Sequence, residues 1–162
     1  MSSLSTRAAT AAFLVLTACT SEGDDDAAPP PPAPETLFEA LPAASPNTLR
    51  GVWQTTQTAS NGTVELRLRF MDRYVIGAAK CVVTGSDTGV IAGGSIGLDT
   101  AALDAATGTL TIGSLGFEKQ EGNVKCQGGL PANTYDFTIV DNTLTLTVGG
   151  AQLNAAFTKI GD

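Results

Sequence analysis

One pentapeptide of the chain has the spacing of a catalytic motif. Gly93-Gly94-Ser95-Ile96-Gly97 fits the pattern Gly-x-Ser-x-Gly, which in hydrolases places a serine nucleophile at a turn between a strand and a helix. That chemistry needs a histidine to accept the serine proton, and the 162 residues contain none. No helical pattern follows the serine either. We therefore interpret the segment as a glycine-rich bend or bulge of a strand and predict that the protein is not an enzyme.

Composition argues against metal ions, cofactors and nucleic acid. Acidic side chains are scattered, and the three cysteines lack the spacing of zinc ligands, so we expect no metal and no cofactor. The net charge of −7 is concentrated before residue 47; from there on, eight Lys or Arg stand against ten Asp or Glu. A nearly neutral folded part has no basic stripe for phosphates, and nucleic acid is not an expected partner.

The first 19 residues have the pattern of an export signal. Residues 1–7 are polar with one cation, residues 8–16 are almost entirely apolar, and Leu16-Thr17-Ala18-Cys19 follows directly. An apolar run of about ten residues is too short for a spanning helix, which needs roughly twenty. The tetrapeptide resembles the bacterial lipobox. The resemblance implies that residues 1–18 are removed as a signal peptide and that Cys19 is lipidated, with palmitate as an expected acyl group.

This resemblance has consequences for localisation and for the other cysteines. A lipid on Cys19 makes the protein an exported lipoprotein whose partner is the membrane of the cell envelope. Thr20 is not the aspartate associated with inner-membrane retention, which favours the outer membrane. If Cys19 carries the lipid, Cys81 and Cys126 are the two cysteines that remain. In an oxidising compartment we expect them to form a disulfide, which closes a loop of 45 residues.

Residues 19–46 are predicted to be a disordered tether. They contain Asp24-Asp25-Asp26 and seven of the eight prolines. Charge repulsion and the stiffness of polyproline both oppose collapse. We therefore expect a solvated spacer that reaches up to roughly 80 Å from the bilayer, and a folded domain that covers residues 47–162.

In the folded part, apolar and polar residues alternate along the chain with a period of two. Residues 63–70 put apolar side chains on one face of a strand and charged ones on the other. The apolar ones are Val64, Leu66, Leu68 and Phe70, and the charged ones are Glu65, Arg67 and Arg69. The same pattern recurs at residues 135–139 and 143–148. Strands that are exposed to solvent on one face only are typical of antiparallel sheets.

Turn residues separate ten strand-like runs. We place the strands near residues 51–59, 63–70, 74–84, 88–98, 108–113, 115–120, 124–128, 134–140, 143–149 and 151–159, and expect one or two of them to be merged. Sequential neighbours then pair up and down. Eight or nine such strands can close on themselves, so we predict an all-β fold, a small antiparallel up-and-down β-barrel.

A short motif at the start of the first strand supports a barrel. Leu49-Arg50-Gly51-Val52-Trp53 resembles the Gly-x-Trp start of lipocalin-like domains. The resemblance implies that Trp53 closes one end of the barrel and that a basic residue near the end of the last strand stacks on it. Lys159 is the candidate, as a cation over an aromatic face. Both residues would then be structural.

Two functions follow from this architecture. In the first, the barrel is a non-enzymatic binding module whose apolar interior holds a small hydrophobic ligand, as lipocalin-like proteins do. In the second, it binds an envelope protein, for example as an inhibitor, because lipid-anchored small barrels with one disulfide also resemble periplasmic inhibitors of lysozyme-type hydrolases. The sequence assigns no ligand-binding residues. Whether the barrel is hollow or filled by its own side chains distinguishes the two.

Overall fold

Strands account for most of the described part of the chain, which is residues 30–162 of a computed structural model. A 3-10 helix at Pro34–Phe38 comes first. Ten strands follow: β1 (Gly51–Ala59), β2 (Gly62–Phe70), β3 (Tyr74–Val83), β4 (Gly89–Asp99), β5 (Thr107–Ile112), β6 (Leu115–Glu121), β7 (Val124–Leu130), β8 (Asn133–Val140), β9 (Thr143–Val148) and β10 (Ala151–Gly161). Within residues 30–162, no helix is long and apolar enough to cross a membrane.

Eight of the strands close into an antiparallel barrel. Their order around the barrel is β1-β10-β9-β8-β5-β4-β3-β2, so each strand pairs with its neighbour in the chain except where β6 and β7 intervene. The predicted all-β class and the small up-and-down barrel are therefore confirmed. All ten predicted strands are separate, so the expected merging of one or two of them is wrong. The predicted pairing of sequential neighbours is wrong at β6 and β7, which form a two-stranded sheet of their own while β5 pairs with β8.

Alternation along each strand decides which side chains point into the barrel. In β8, Tyr135, Phe137 and Ile139 are buried, and the residues between them are exposed. Leu144 and Leu146, which lie opposite on β9, are fully buried as well. Because side chains of a strand alternate between its two faces, this period of two puts one face of each strand into the core.

The barrel is joined along only part of its height. β1 pairs with β10 at residues 52–54, and β4 pairs with β5 at residues 98–99. Outside these two short paired regions, no hydrogen-bonded pairs within the described residues join β1–β4 to the sheet formed by β5, β8, β9 and β10. We call the joined end the closed end. The opposite end, with the β1–β2 and β9–β10 turns, is the mouth.

The β6–β7 hairpin leaves the barrel wall and packs on the inner face of β3 and β4. The ring of Phe117 lies between two glycines: a Cβ at Gly77 would lie 2.8 Å from Phe117 Cε1, and a Cβ at Gly128 would lie 2.8 Å from Phe117 Cε2. Gly94, opposite Gly77 on β4, faces Phe117 as well. The absence of side chains at these positions lets the hairpin approach the sheet closely.

We call residues 34–50 the N-terminal strap. Its first part lies on the outer face of the barrel, and its last residues reach the closed end, where Leu49 joins the interior core. Leu37 is 1% exposed and packs with Val52, Ile76 and Ala78 on the outer face of the sheet. The prediction that the spacer extends to residue 46 is therefore wrong from Pro34 onward. The acidic and proline-rich composition suggested a solvated chain, but a few apolar side chains suffice to dock it.

Candidate functional site

The predicted pair Trp53 and Lys159 meets at the closed end. Trp53 is fully buried, and its Nε1 donates a hydrogen bond to Leu49 O at 2.8 Å. Lys159 Nζ lies 5.7 Å from the centre of the Trp53 ring. It also donates to Ser45 O at 2.6 Å and to Thr48 Oγ1 at 3.0 Å, both in the N-terminal strap. The pair joins the first strand, the last strand and the strap.

The other two cysteines also lie where the sequence predicts. Cys81 Sγ and Cys126 Sγ are 2.10 Å apart, which is disulfide bonding distance. Cys81 belongs to β3 and Cys126 to β7, so the bond holds the β6–β7 hairpin against the barrel wall near the mouth. Cys19 and the signal peptide of residues 1–18 lie outside the described residues.

The serine of the Gly-x-Ser-x-Gly segment lies in a regular strand. From Gly89 to Gly97, β4 pairs with β3 without a register shift, so the predicted bend or bulge is wrong. Close contacts on both faces of β4 explain why glycines occupy these positions. A Cβ at Gly93 would collide with Pro34 of the strap on the outer face, and Gly94 faces the hairpin on the inner face. Ser95 itself is exposed.

The lower part of the barrel is filled by its own side chains. Trp53, Phe70, Tyr135 and Phe157 are each less than 2% exposed and belong to one continuous core. The interior of an eight-stranded barrel is just wide enough for such side chains to fill. Any space for a ligand therefore has to lie nearer the mouth.

Two adjoining cavities open at the mouth, and together we call them the mouth groove. The larger, of about 470 Å³, is lined by Gly116, Phe117, Glu118, Gln127 and Gly128 of the hairpin. The smaller, of about 210 Å³, is lined by residues of β1, β2, β3 and β7. They are Gln57, Val64, Leu66, Ala79, Gln127, Gly128 and Gly129. The two share Gln127 and Gly128 and therefore adjoin. The larger is a shallow depression on the hairpin that is open to solvent, and the smaller lies between the hairpin and the wall.

The mouth groove is apolar at its base and amide-rich at its rim. Val64 and Leu66 are half-buried on the inner face of β2, and Ala79 is buried beside them. Gln57 and Gln127 are exposed, and their side chains make no hydrogen bond within residues 30–162. Such a surface can bind a molecule that has an apolar body and a few polar atoms.

The one charged side chain that lines the mouth groove is compensated. Glu118 Oε2 lies 2.7 Å from Lys125 Nζ on the neighbouring strand, and both side chains are more than half exposed. Within the described range, no three His, Cys, Asp or Glu side chains are grouped as metal ligands would be. The groove therefore offers apolar and amide contacts, and the one carboxylate of its described lining is held in an ion pair.

Sequence reasoning missed these groove residues. Gly116, Gly128 and Gly129 indicate only weak strands, and β6 and β7 are predicted as ordinary members of the barrel wall. The groove exists because the hairpin leaves that wall, and this depends on contacts between residues far apart in the chain. The alternation of residues 63–70 does predict that Val64 and Leu66 point inward.

Comparison with known proteins gives no relative to reason from: the chain matches no protein-family model, no curated protein and no solved structure. The closed eight-stranded antiparallel barrel is consistent with the lipocalin-like resemblance of the first strand.

Proposed function

We propose that the protein is a non-enzymatic binding module of the bacterial cell envelope, and that it takes a small, mainly apolar ligand into the mouth groove. The observation that carries this proposal is the groove itself, with cavities of about 470 and 210 Å³ above a filled barrel. Ligand sites usually have volumes of roughly 300 to 1,000 Å³. The larger depression reaches this size but is open to solvent, so a ligand would be covered on one side only.

The residues that line the mouth groove indicate which kind of ligand it can bind. Because Glu118 is already paired with Lys125, a charged ligand would compete with an existing ion pair. Val64, Leu66 and Phe117 offer apolar surface, and the carboxamides of Gln57 and Gln127 can donate and accept hydrogen bonds. We therefore expect a neutral ligand with an apolar body and one or two polar groups.

The apolar area that a ligand can bury in the open mouth groove limits the expected affinity. A ligand that removes about 200 Å² of apolar surface from water gains roughly 5 kcal/mol. Part of this gain is lost to the restricted motion of the bound ligand. Apolar burial alone therefore corresponds to a dissociation constant of about 0.2 mM or weaker. One or two hydrogen bonds to Gln57 or Gln127, worth about 1 kcal/mol each, would bring it toward the tens of micromolar.

Titration with N-phenyl-1-naphthylamine, a neutral apolar fluorescent probe, tests the proposal. We expect saturable binding and amide chemical-shift changes centred on Leu66, Gln127 and Gly128. Saturable binding with shifts confined to the closed end or the outer face would move the site elsewhere. Absence of any saturable binding up to the solubility limit of the probe would overturn the apolar-ligand function.

The proposed cellular setting rests on the lipobox-like residues. A lipid on Cys19 would anchor the domain in the envelope, in the outer membrane by the argument from Thr20. Because the strap docks from Pro34, at most 14 residues, 20–33, separate the anchor from the folded part. Fully extended, they reach about 50 Å, which is shorter than the spacer that the sequence predicts.

Binding of an envelope protein is a second candidate, supported by the hairpin. The β6–β7 hairpin is fixed to the wall by the Cys81–Cys126 bond and presents exposed charged pairs, Lys119 with Glu121 at 2.6 Å and Lys125 with Glu118 at 2.7 Å. A fixed hairpin whose charged side chains are exposed at the mouth suits contact with the cleft of a hydrolase. Inhibition of lysozyme by the intact chain, lost on Glu118→Lys, would favour this function over the first.

A further inference from the structure

One edge of the barrel wall is open along most of a strand. β4 runs over Gly89–Asp99, yet it pairs with β5 only through Leu98–Ile112 and Asp99–Thr111. On its other edge, β4 is paired with β3 from Gly89 to Gly97. Residues 89–97 therefore have one paired edge and one edge that joins no other strand of the described chain.

The direction of the main-chain groups on this edge follows from one hydrogen bond. Leu98 donates its N–H to Arg73 O at 3.0 Å, on the β3 side. In an antiparallel sheet, the N–H and C=O of one residue point to the same neighbouring strand, and successive residues alternate. Even-numbered residues of β4 thus bond to β3. The odd-numbered residues that direct both groups to the open edge are Gly89, Ile91, Gly93, Ser95 and Gly97.

This edge lacks the features that keep edge strands from pairing with other chains. Natural edges are commonly protected by lysine, proline, a bulge or a short length. Residues 89–97 contain no charged residue and no proline, and their register with β3 is regular. Pro34 lies against Gly93 on the outer face, above the plane of the sheet, and Gly93, Ser95 and Gly97 are all exposed.

We propose that the open edge of β4 binds the same edge of a second copy of this chain, forming a two-fold symmetric dimer. Antiparallel pairing is self-complementary about a two-fold axis. With the axis at Gly93, that residue faces its own symmetry copy, Ile91 faces Ser95, and Gly89 faces Gly97. This register uses all five outward-directed residues, so that ten main-chain hydrogen bonds form, and it places no like charges opposite each other.

A pair of cysteines tests both the dimer and its register. Directly opposed residues of this kind have Cα atoms about 5.5 Å apart, which suits a disulfide. The double variant Ile91→Cys with Ser95→Cys, made in the full chain and exported normally, should run mainly as a reducible covalent dimer on a non-reducing gel. The single variants Ile91→Cys and Ser95→Cys are matched controls. Each places its cysteine opposite a residue that cannot cross-link, so they should stay monomeric.

A second measurement needs no variant. In the wild-type chain, amide exchange at Gly93 and Gly97 should slow by at least tenfold as the protein concentration is raised, whereas exchange at the exposed Asn142 should not change. Equal cross-linking of the double and single variants, or exchange at Gly93 that does not depend on concentration, would overturn the proposal. Neither outcome bears on the mouth groove, since the dimer is independent of the proposed ligand.

Discussion

Lys159 shows how a buried charge is accommodated in this barrel. Its side chain is fully buried, which is costly for an ammonium group unless every proton finds a partner. The hydrogen-bond acceptors are the carbonyls of Ser45 and Thr48 and the hydroxyl of Thr48. The carboxylate of Asp162, whose Oδ1 lies 3.1 Å from Nζ, adds an ion pair. The Trp53 ring covers a further side of the charge. The closed end therefore depends on a few residues from both ends of the folded domain.

Removing the Trp53 ring at the closed end should strongly destabilise the folded domain. We expect Trp53→Ala to lower the free energy of unfolding by about 3 to 5 kcal/mol, because a fully buried side chain and its contact with Lys159 are lost together. Val140→Ala, at a residue that is 60% exposed, is the control and should change stability by less than about 0.5 kcal/mol. Denaturant unfolding measures both. A loss under about 1 kcal/mol for Trp53→Ala would contradict its role.

The carboxyl of Asp162 should make stability depend on pH. Burial by itself raises the pKa of Asp162, but hydrogen bonds from the side chain and main chain of Ser45 and the contact with Lys159 outweigh it, so the pKa lies below its ordinary value. A carboxyl whose pKa is lowered by folding stabilises the protein above its unfolded pKa, and this contribution is lost as pH falls through the folded pKa.

The difference in unfolding free energy between wild type and Asp162→Asn should therefore be largest near neutral pH and shrink below about pH 4. Denaturant titrations of both proteins across this range measure it. A difference that stays constant down to about pH 2 would show that the ionised carboxylate does not contribute.

At the scale of elements, the position of the β6–β7 hairpin depends on glycines in the wall. A side chain at Gly77 would meet Phe117 and Leu115 at under 3 Å, so Gly77→Val should cost about 1 to 3 kcal/mol and loosen the hairpin. Gly97→Val is the matched control, because a Cβ there has no neighbour within 4 Å. Amide exchange of β6 and β7 should accelerate in the first variant only. Similar exchange in both variants would contradict the packing of the hairpin on this wall.

The elements also show which features a sequence can predict. Strand positions and the inward face of β2 follow from local alternation, and all ten strands lie close to their predicted ranges. The pairing of Cys81 with Cys126 followed from the cysteine count. The docking of Leu37 and the position of Phe117 between two glycines depend on contacts that no local pattern encodes. The mouth groove results from these contacts, so its residues were not predictable.

At the scale of the whole molecule, the proposed lipid anchor and the docked strap define how the domain is presented. The strap begins to pack at Pro34, so the anchor has only a short reach. Cys19→Ser should abolish incorporation of labelled palmitate and leave an unprocessed precursor, because the thioether to the lipid forms at that sulfur. Cys126→Ser, which leaves Cys19 intact, should retain the label. Undiminished label in Cys19→Ser would end the lipoprotein proposal.

The mouth groove, above a filled barrel, is the proposed ligand site. The most direct test is the dissociation constant for N-phenyl-1-naphthylamine after filling the groove with Gly116→Phe. A Cβ at Gly116 has no neighbour within 4 Å, so the ring should occupy the cavity without disturbing the fold. Thr109→Phe, on the exposed outer face of β5, is the control. We predict at least tenfold weaker binding for Gly116→Phe and unchanged binding for Thr109→Phe. Wild-type affinity in a correctly folded Gly116→Phe protein would contradict the account.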